Sequence, residues 1–568
     1  MTRERKRQSC RVLFFLRLVF AACSVETGAR RRPPRGTWPG ATGRRGESAK
    51  ARMALIALNH VTFAHEGAPR PLFDDLSLRL DTDWKLGLIG RNGRGKTTLL
   101  HLLDGTLPHA GNIDMPLPTH RFPPAVPDPE LPVGALARLL VPDFAPWRWR
   151  RELALLGVAE LEASAWEARP FARLSGGEQT KALLAALFAH DTGFPLIDEP
   201  TNHLDAAGRA ALGRYLARKR GFVLVSHDRA LLDACVDHVL ALTGDGPQLQ
   251  QGRYSDWKRN REYAEACERA RHDKLRKDAR RLTEAARRSA GWSEAVERSK
   301  IGAHVPDRGF VGHKAAKMMK RAKALEVRRD KAAEEAASLL RHVEEREPPV
   351  LCPLPSRPGR LLEAADLSLW YQAERPLCRG LNLVVEPGQR LAISGGNGSG
   401  KSTLLRLLAG EETVGAGFSG HLRRASGLKV SYVAQDCGFL QGDPANFPIL
   451  RGLDPARFRA VLDRLGMGGK ADKSLWNRDM RLYSDGQKKK MLLAAGLCAE
   501  AHLYVWDEPL NFLDIEAREQ IENALLAAGP TLVFVEHDRA FTERVATDKL
   551  DLQAFFSRPR TGPSSVFH

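Results

Sequence analysis

One pattern constrains this chain more than any other. A loop of the form GxxxxGK[ST] occurs twice, as Gly90-Arg91-Asn92-Gly93-Arg94-Gly95-Lys96-Thr97 and as Gly395-Gly396-Asn397-Gly398-Ser399-Gly400-Lys401-Ser402. Each copy follows an apolar, strand-like run (KLGLIG, RLAISG) and precedes a helical one (TTLLHLLDG, STLLRLLAG). Glycines here let successive backbone N–H groups turn inward around a phosphate, and the following helix offers its positive end to the same anion. The pattern therefore predicts two α/β domains that each hold ATP. Phosphate contacts are expected from Gly90, Asn92, Gly93, Gly95, Lys96, Thr97 and Thr98, and from Gly395, Asn397, Gly398, Gly400, Lys401, Ser402 and Thr403. Of these, Lys96 and Lys401 should reach the β and γ phosphates, and Thr97 and Ser402 should ligate Mg²⁺.

Two further elements repeat in the same order. Apolar strands end in paired acids at Asp198-Glu199 and Asp507-Glu508. Asp198 and Asp507 are placed to hold Mg²⁺ through its water shell, and Glu199 and Glu508 to polarise the attacking water, since hydrolysis needs a proton acceptor beside the γ phosphate. His227 and His537 follow the glutamates by 28 and 29 residues. A histidine at a strand end is suited to donate to the γ phosphate and to hold the group that orients the water. An isolated Ser-His-Asp carries no such meaning; the matched spacing supplies it.

Composition refines the layout. The motif order divides the chain into a first domain over 53–258, a charged segment over 259–348 and a second domain over 349–557, with a loose tail at 558–568. Prolines at 348, 349, 353, 355 and 358 mark the second boundary. Residues 261–345 carry 22 Lys/Arg and 15 Asp/Glu, with sparse Ala and Leu at helical spacing and a break at GAHVPDRGFVG. That suits an α-helical hairpin with one narrow buried seam, a solvated charged linker being the alternative. The formal net charge of +19 favours a polyanionic partner. Residues 1–52, however, hold 14 Lys/Arg against 3 Asp/Glu. They read as an extension ahead of a native start at Met53, with a disordered tail or a targeting peptide as alternatives. Beyond that segment no run of 18 apolar residues occurs, which argues against a membrane span. Eight cysteines without CxxC spacing point to reduced thiols in a cytoplasmic protein.

Leu174-Ser175-Gly176-Gly177-Glu178-Gln179 and Tyr483-Ser484-Asp485-Gly486-Gln487 resemble the signature of ATP-binding-cassette domains. The resemblance implies that Ser175, Gly176 and Gly177, and Ser484, Gly486 and Gln487, face the nucleotide held by the opposite domain. The two sites would then be Lys96/Glu199/Ser484 and Lys401/Glu508/Ser175, closed by ATP and released by hydrolysis within a monomer. It also makes Gln435, in YVAQD, a glutamine that senses Mg²⁺ and the attacking water. The first half has Phe122-Pro123-Pro124 at the comparable place. Asp485 stands where the first copy has glycine and, if directed at phosphate, would retune the Lys96 site. Phe63 or His65, and Trp370 or Tyr371, are the candidates for adenine stacking.

Over its length from about 55 to 557 the chain resembles the ABC-F family, two cassettes in one chain joined by a charged helical linker. Asp307–Arg321 and the motifs LYSDGQKKK and WDEPLNF resemble its antibiotic-resistance branch, which acts against lincosamides, streptogramin A and pleuromutilins. The resemblance implies binding to rRNA at the ribosomal tRNA exit site, with the hairpin directed towards the peptidyl-transferase centre. A general translation or ribosome-assembly factor of the same architecture is the alternative. On this reading His304, Val305, Asp307, Arg308, Gly309, Phe310 and His313 form the hairpin tip, and Lys314, Lys317, Lys320, Arg321 and Lys323 meet rRNA phosphates.

Overall fold

The computed structural model describes residues 54–66, 71–244, 246–298, scattered positions between 316 and 331, 349–355, 359–372, 375–413, 415–467 and 475–555. The expected hairpin break and tip, with Lys314 and Arg321, lie outside the described residues, as do the extension 1–52 and the tail 558–568.

In the first half β1 (Leu55–Phe63) and β2 (Phe73–Asp81) pair antiparallel, and β4 (Ala110–Asp114) joins β1 on its other side. Alternate residues of β1 are buried, among them Ile56, Leu58 and Phe63, as a sheet with one covered face requires. The second sheet has the order β5-β6-β7-β3-β8-β9, built from β3 (Lys85–Gly90), β5 (Thr119–Phe122), β6 (Phe194–Asp198), β7 (Phe222–Val225), β8 (His238–Thr243) and β9 (Gly246–Gln251). All of its pairings are parallel except β8 with β9. Helices cover one face, and the helix Lys96–Leu103 with the antiparallel sheet covers the other; every residue of β7 is buried, so its sequence is uninterrupted Phe-Val-Leu-Val.

The second half repeats the plan. β10 (Leu362–Gln372), β11 (Arg375–Val385) and β13 (Gly417–Arg424) form the antiparallel sheet. β12 (Arg390–Ser394), β14 (Val430–Val433), β15 (Leu503–Asp507), β16 (Leu532–Val535) and β17 (Asp548–Asp551) form a parallel one in the order β14-β15-β16-β12-β17. In both halves the strand that feeds the glycine loop, β3 or β12, lies inside the sheet, and the acid pair ends a strand two places away. The carboxyl ends of these strands, where open α/β sheets bind ligands, thus collect the motifs in space.

A helix runs from Tyr254 to Arg298, beginning ahead of the boundary expected at 258/259. Tyr254 and Trp257 anchor its first turn in the first half's core, and Ile515 of the second half belongs to the same buried cluster. Lys317, Lys320 and Lys323 are helical and exposed.

Candidate functional site

The geometry of both glycine loops follows from their sequences. Gly95 and Gly400 have φ of 88° and 82°, and a Cβ at Gly95 would stand 2.8 Å from Leu72 and Phe73, one at Gly400 2.9 Å from Leu377. Glycine alone satisfies both constraints. Each loop curls over its lysine. Lys96 Nζ donates to the carbonyls of Gly90 (2.7 Å) and Arg91 (3.1 Å), and Lys401 Nζ to those of Gly395 (2.9 Å) and Gly396 (2.8 Å). Burial pulls both ammonium groups below the usual lysine range, opposed by Asp514 at Lys96 and by Glu508 at Lys401.

The acids arrive where expected. Thr97 Oγ1 donates to Asp198 Oδ2 at 2.8 Å, and Ser402 Oγ to Gln435 Oε1 at 3.4 Å. Asp507 is 0% exposed, and burial pushes it up to about 6, opposed by the neighbouring Ser402 hydroxyl. Glu199 and Glu508 both adopt φ of 45°, a strained conformation for a residue with a Cβ that bends the chain away from the strand end. His227 Nε2 lies 3.5 Å from Glu199 and His537 Nε2 3.3 Å from Glu508. Burial, with Lys96 and Arg518 nearby, pushes His227 well below its usual range, so its imidazole is neutral.

The surroundings of the glutamates differ. Burial pushes Glu199 up to about 7, and its Oε1 has no hydrogen-bond partner. At Glu508 burial acts in the same direction, but hydrogen bonds from His537, Asn511 (2.7 Å) and Gln435 overcome it and hold the group at about 2.

The halves meet through these loops. Lys96, Thr97 and Glu199 line one cavity of about 620 Å³ together with Ser484, Gly486 and Gln487 from the other half. Asn92 locks that edge: its backbone N–H donates to Asp514 Oδ2 at 3.0 Å and its side chain to the Phe512 carbonyl at 3.0 Å. The Lys401 loop has the corresponding contact, Asn397 Nδ2 to the His203 carbonyl at 3.1 Å. Gly176 and Gly177 pack on His203, since a Cβ at either would stand 2.8 and 3.3 Å from it. Ser175 and Ser484 both close capping boxes, each hydroxyl accepting from the N–H of residue 178 or 487. Asp485 is exposed and does not line the cavity, so the extra charge anticipated at the phosphate is directed elsewhere. Of the aromatic candidates, His65 lines the cavity above buried Phe63. Tyr371 is tied through its hydroxyl to Thr403 (3.1 Å), while Trp370 packs over Gly417.

Sequence reasoning missed several participants. Lys490 and Arg518 reach the Lys96 cavity from the opposite half, and Arg229 of the first half is buried against Glu519, Glu522 and Asp538 of the second. One signal was available. Asp205/Asp514 and Arg209/Arg518 follow the paired glutamates at equal distances, 6 and 10 residues.

The ABC transporter family matches the chain twice, over residues 73–202 and 378–511. The chain is an ATP-binding-cassette ATPase. A long charged helix leaves the first cassette, and no described helix is long and apolar enough to cross a membrane. The ribosome protection protein VmlR of Bacillus subtilis (strain 168) is 29% identical to this ATPase over 509 residues, which cover 87% of this chain and 86% of VmlR. The energy-dependent translational throttle protein EttA of Escherichia coli O6:H1 is 27% identical over 535 residues, 85% of this chain and 90% of EttA. The archaeal ribosome recycling factor aABCE1, solved with the ribosomal stalk protein aP1, shares the fold at a TM-score of 0.57 and 18% identity over 87% of both chains.

Proposed function

We propose that this ABC-F ATPase is a ribosome-associated translation factor of the cytoplasm, clamped shut by ATP and released by its hydrolysis. The observation that carries the reading is the shared cavity, in which the loop of one half and the signature serine of the other face the same space. A nucleotide there is held by Lys96, Thr97 and Thr98 on one side and by Ser484 and Gly486 on the other, so binding and closure are one event. Glu199 and Glu508 polarise the attacking water, and His227 and His537 keep them oriented. Mg²⁺ fits this chemistry, because Asp507 offers a fully buried carboxylate beside the Ser402 hydroxyl and Asp198 accepts from Thr97. Thr97 and Asp198, or Ser402, Asp507 and Gln435, would hold it, and it would neutralise charge on the β and γ phosphates.

The ribosome is supported as partner by the ribosomal and translational roles of the relatives and by exposed Lys317, Lys320 and Lys323, which suit an rRNA backbone. Contact from the tRNA exit site towards the peptidyl-transferase centre belongs to the same proposal. VmlR favours a second reading, protection of the ribosome from antibiotics. EttA is nearly as similar over a comparable length, so the general role stands first. The test is sedimentation of the Glu199→Gln/Glu508→Gln variant with ribosomes in ATP. Retention on ribosomes through a wash that releases the unaltered protein is expected; equal release would overturn the cycle. In vitro translation titrated with lincomycin, tiamulin, a streptogramin A and erythromycin then separates the readings, since a general factor rescues none of them.

A further inference from the structure

Lys489 lies on the helix Asp485–Cys498, whose first turn carries the second signature, and it is 1% exposed. A lysine this deeply buried needs its three donors satisfied, and here the acceptors are all main-chain oxygens. Nζ donates to the carbonyls of Ala434 (2.8 Å), Asp507 (3.1 Å) and Gln435 (3.4 Å). One side chain thus joins three pieces: the signature helix, the loop that carries Gln435, and the strand end that carries Asp507 and Glu508. Thr180 occupies the equivalent position in the first half, and its hydroxyl is spent locally on the Gly176 carbonyl at 2.9 Å. The first half also has Phe122-Pro123-Pro124 where the second has its glutamine, so the half with the strut is the half with something for it to hold.

We propose that Lys489 is a positioning residue of the second hydrolytic site, holding the Gln435 loop and the Asp507–Glu508 strand end against the signature helix. Its effect passes through Gln435, which hydrogen-bonds Glu508 and accepts from Ser402. The first turn of the same helix, just ahead of Lys489, presents Ser484 and Gly486 to the Lys96 cavity, so the strut also joins the second site to the closing surface of the first. A fixed second shell of this kind is what keeps hydrolytic groups within the narrow geometry that turnover requires.

The inference rests on the reading of Glu508 as the group that polarises water, and the test separates the two. In a Glu199→Gln background, where turnover comes from the second site, Lys489→Thr installs the first half's residue. A kcat about tenfold lower is expected, with KM for ATP within twofold and the Mg²⁺ concentration for half-maximal rate raised severalfold. Lys489→Met, which keeps the apolar stem, should show the same split and covers a failure of the threonine variant to fold. A kcat within twofold of the background would overturn the proposal. So would a rise in ATP KM as large as the loss in kcat, accompanied by a lower melting midpoint, because that is global damage. If adding Glu508→Gln to the background leaves turnover intact, the reading of Glu508 fails instead.

Discussion

Arg229 offers the sharpest test of the clamp, because it is buried at the junction of the halves and its anionic partners all belong to the other half. It is 8% exposed; it bonds Glu522, itself 0% exposed, and lies 3.5 Å from Asp538 and 3.7 Å from Glu519. Truncating one member of a buried pair typically costs ~3–5 kcal/mol, mostly through the charge left behind. Here the stranded carboxylates keep other cations, Glu522 with Arg544 at 2.7 Å and Asp538 with Arg518 at 3.1 Å. The loss for Arg229→Met should therefore fall near or just below that range, at about 2–3 kcal/mol. It is charged against closure, since neither half folds around this contact alone. At about 1.4 kcal/mol per factor of ten, the closing equilibrium drops roughly 30- to 150-fold. Small-angle scattering of the Glu199→Gln/Glu508→Gln protein, titrated with ATP with and without Arg229→Met, reads that shift directly. Adding Glu522→Gln completes a double-mutant cycle, in which a coupling of at least ~1 kcal/mol is expected. Closure at the same ATP concentration within threefold, or strictly additive effects, would refute the reasoning.

Two other outcomes follow from the same electrostatics. A base works only when ionised, so with Glu508→Gln turnover should follow Glu199, which burial pushes up to about 7, and climb about tenfold from pH 6 to 8. With Glu199→Gln it should follow Glu508, held at about 2 and ionised throughout, and stay flat over that range; parallel pH–rate curves for the two variants would contradict this. The second outcome concerns the exposed counterpart of Arg229. Arg261, near the root of the long helix, pairs with Glu516 at 3.1 Å, and their side chains are 38% and 35% exposed. Such a pair is worth at most ~1 kcal/mol, so Arg261→Ala should move the scattering midpoint by less than about fivefold. A shift as large as that of Arg229→Met would show that exposure is a poor guide at this interface.

What the sequence made legible was local chemistry. The glycine loops, the acid pairs and the strand-end histidines each sit within a few residues of the strand that carries them, and a motif of that length states its own geometry. The signature serines were legible only through resemblance, because nothing in SGGEQ or SDGQK says that its target lies on the other half. Arg229 was illegible for a related reason. It follows Ser226-His227-Asp228 as an ordinary surface-type residue would, and only the packing of the helix Ile515–Ala528 across the junction turns it into a buried one. Lys489 hid differently: in a Lys-Lys-Lys run on the signature helix it reads as solvated charge, whereas helical spacing sends it inward. Of the two directions open to Asp485, the structure has the one away from the cavity, since the first position of that helix faces solvent while its neighbours Ser484 and Gly486 face the cavity.

The two sites differ in their electrostatics far more than in their backbone. Both glutamates share φ of 45° and both have a histidine within 3.5 Å, so the scaffold places the carboxylates equivalently. What separates them is the supply of side-chain donors: Glu508 accepts from His537, Asn511 and Gln435, whereas Glu199 has the His227 backbone N–H and the more distant His227 ring. A desolvated carboxylate with few donors binds a proton readily, and the proton neutralises the group that must polarise water. Burial thus favours the protonated form of Glu199 more than that of Glu508, whose donors hold it ionised. The charge that Glu199 feels most favourably comes from Arg518, which belongs to the other half. Opening the clamp removes that cation and admits water in its place, so the ionisation of Glu199 is tied to closure in a way that Glu508, satisfied from within its own half, is not. On the proposed role of the two glutamates, hydrolysis at the Lys96 site should therefore respond to closure more steeply than hydrolysis at the Lys401 site.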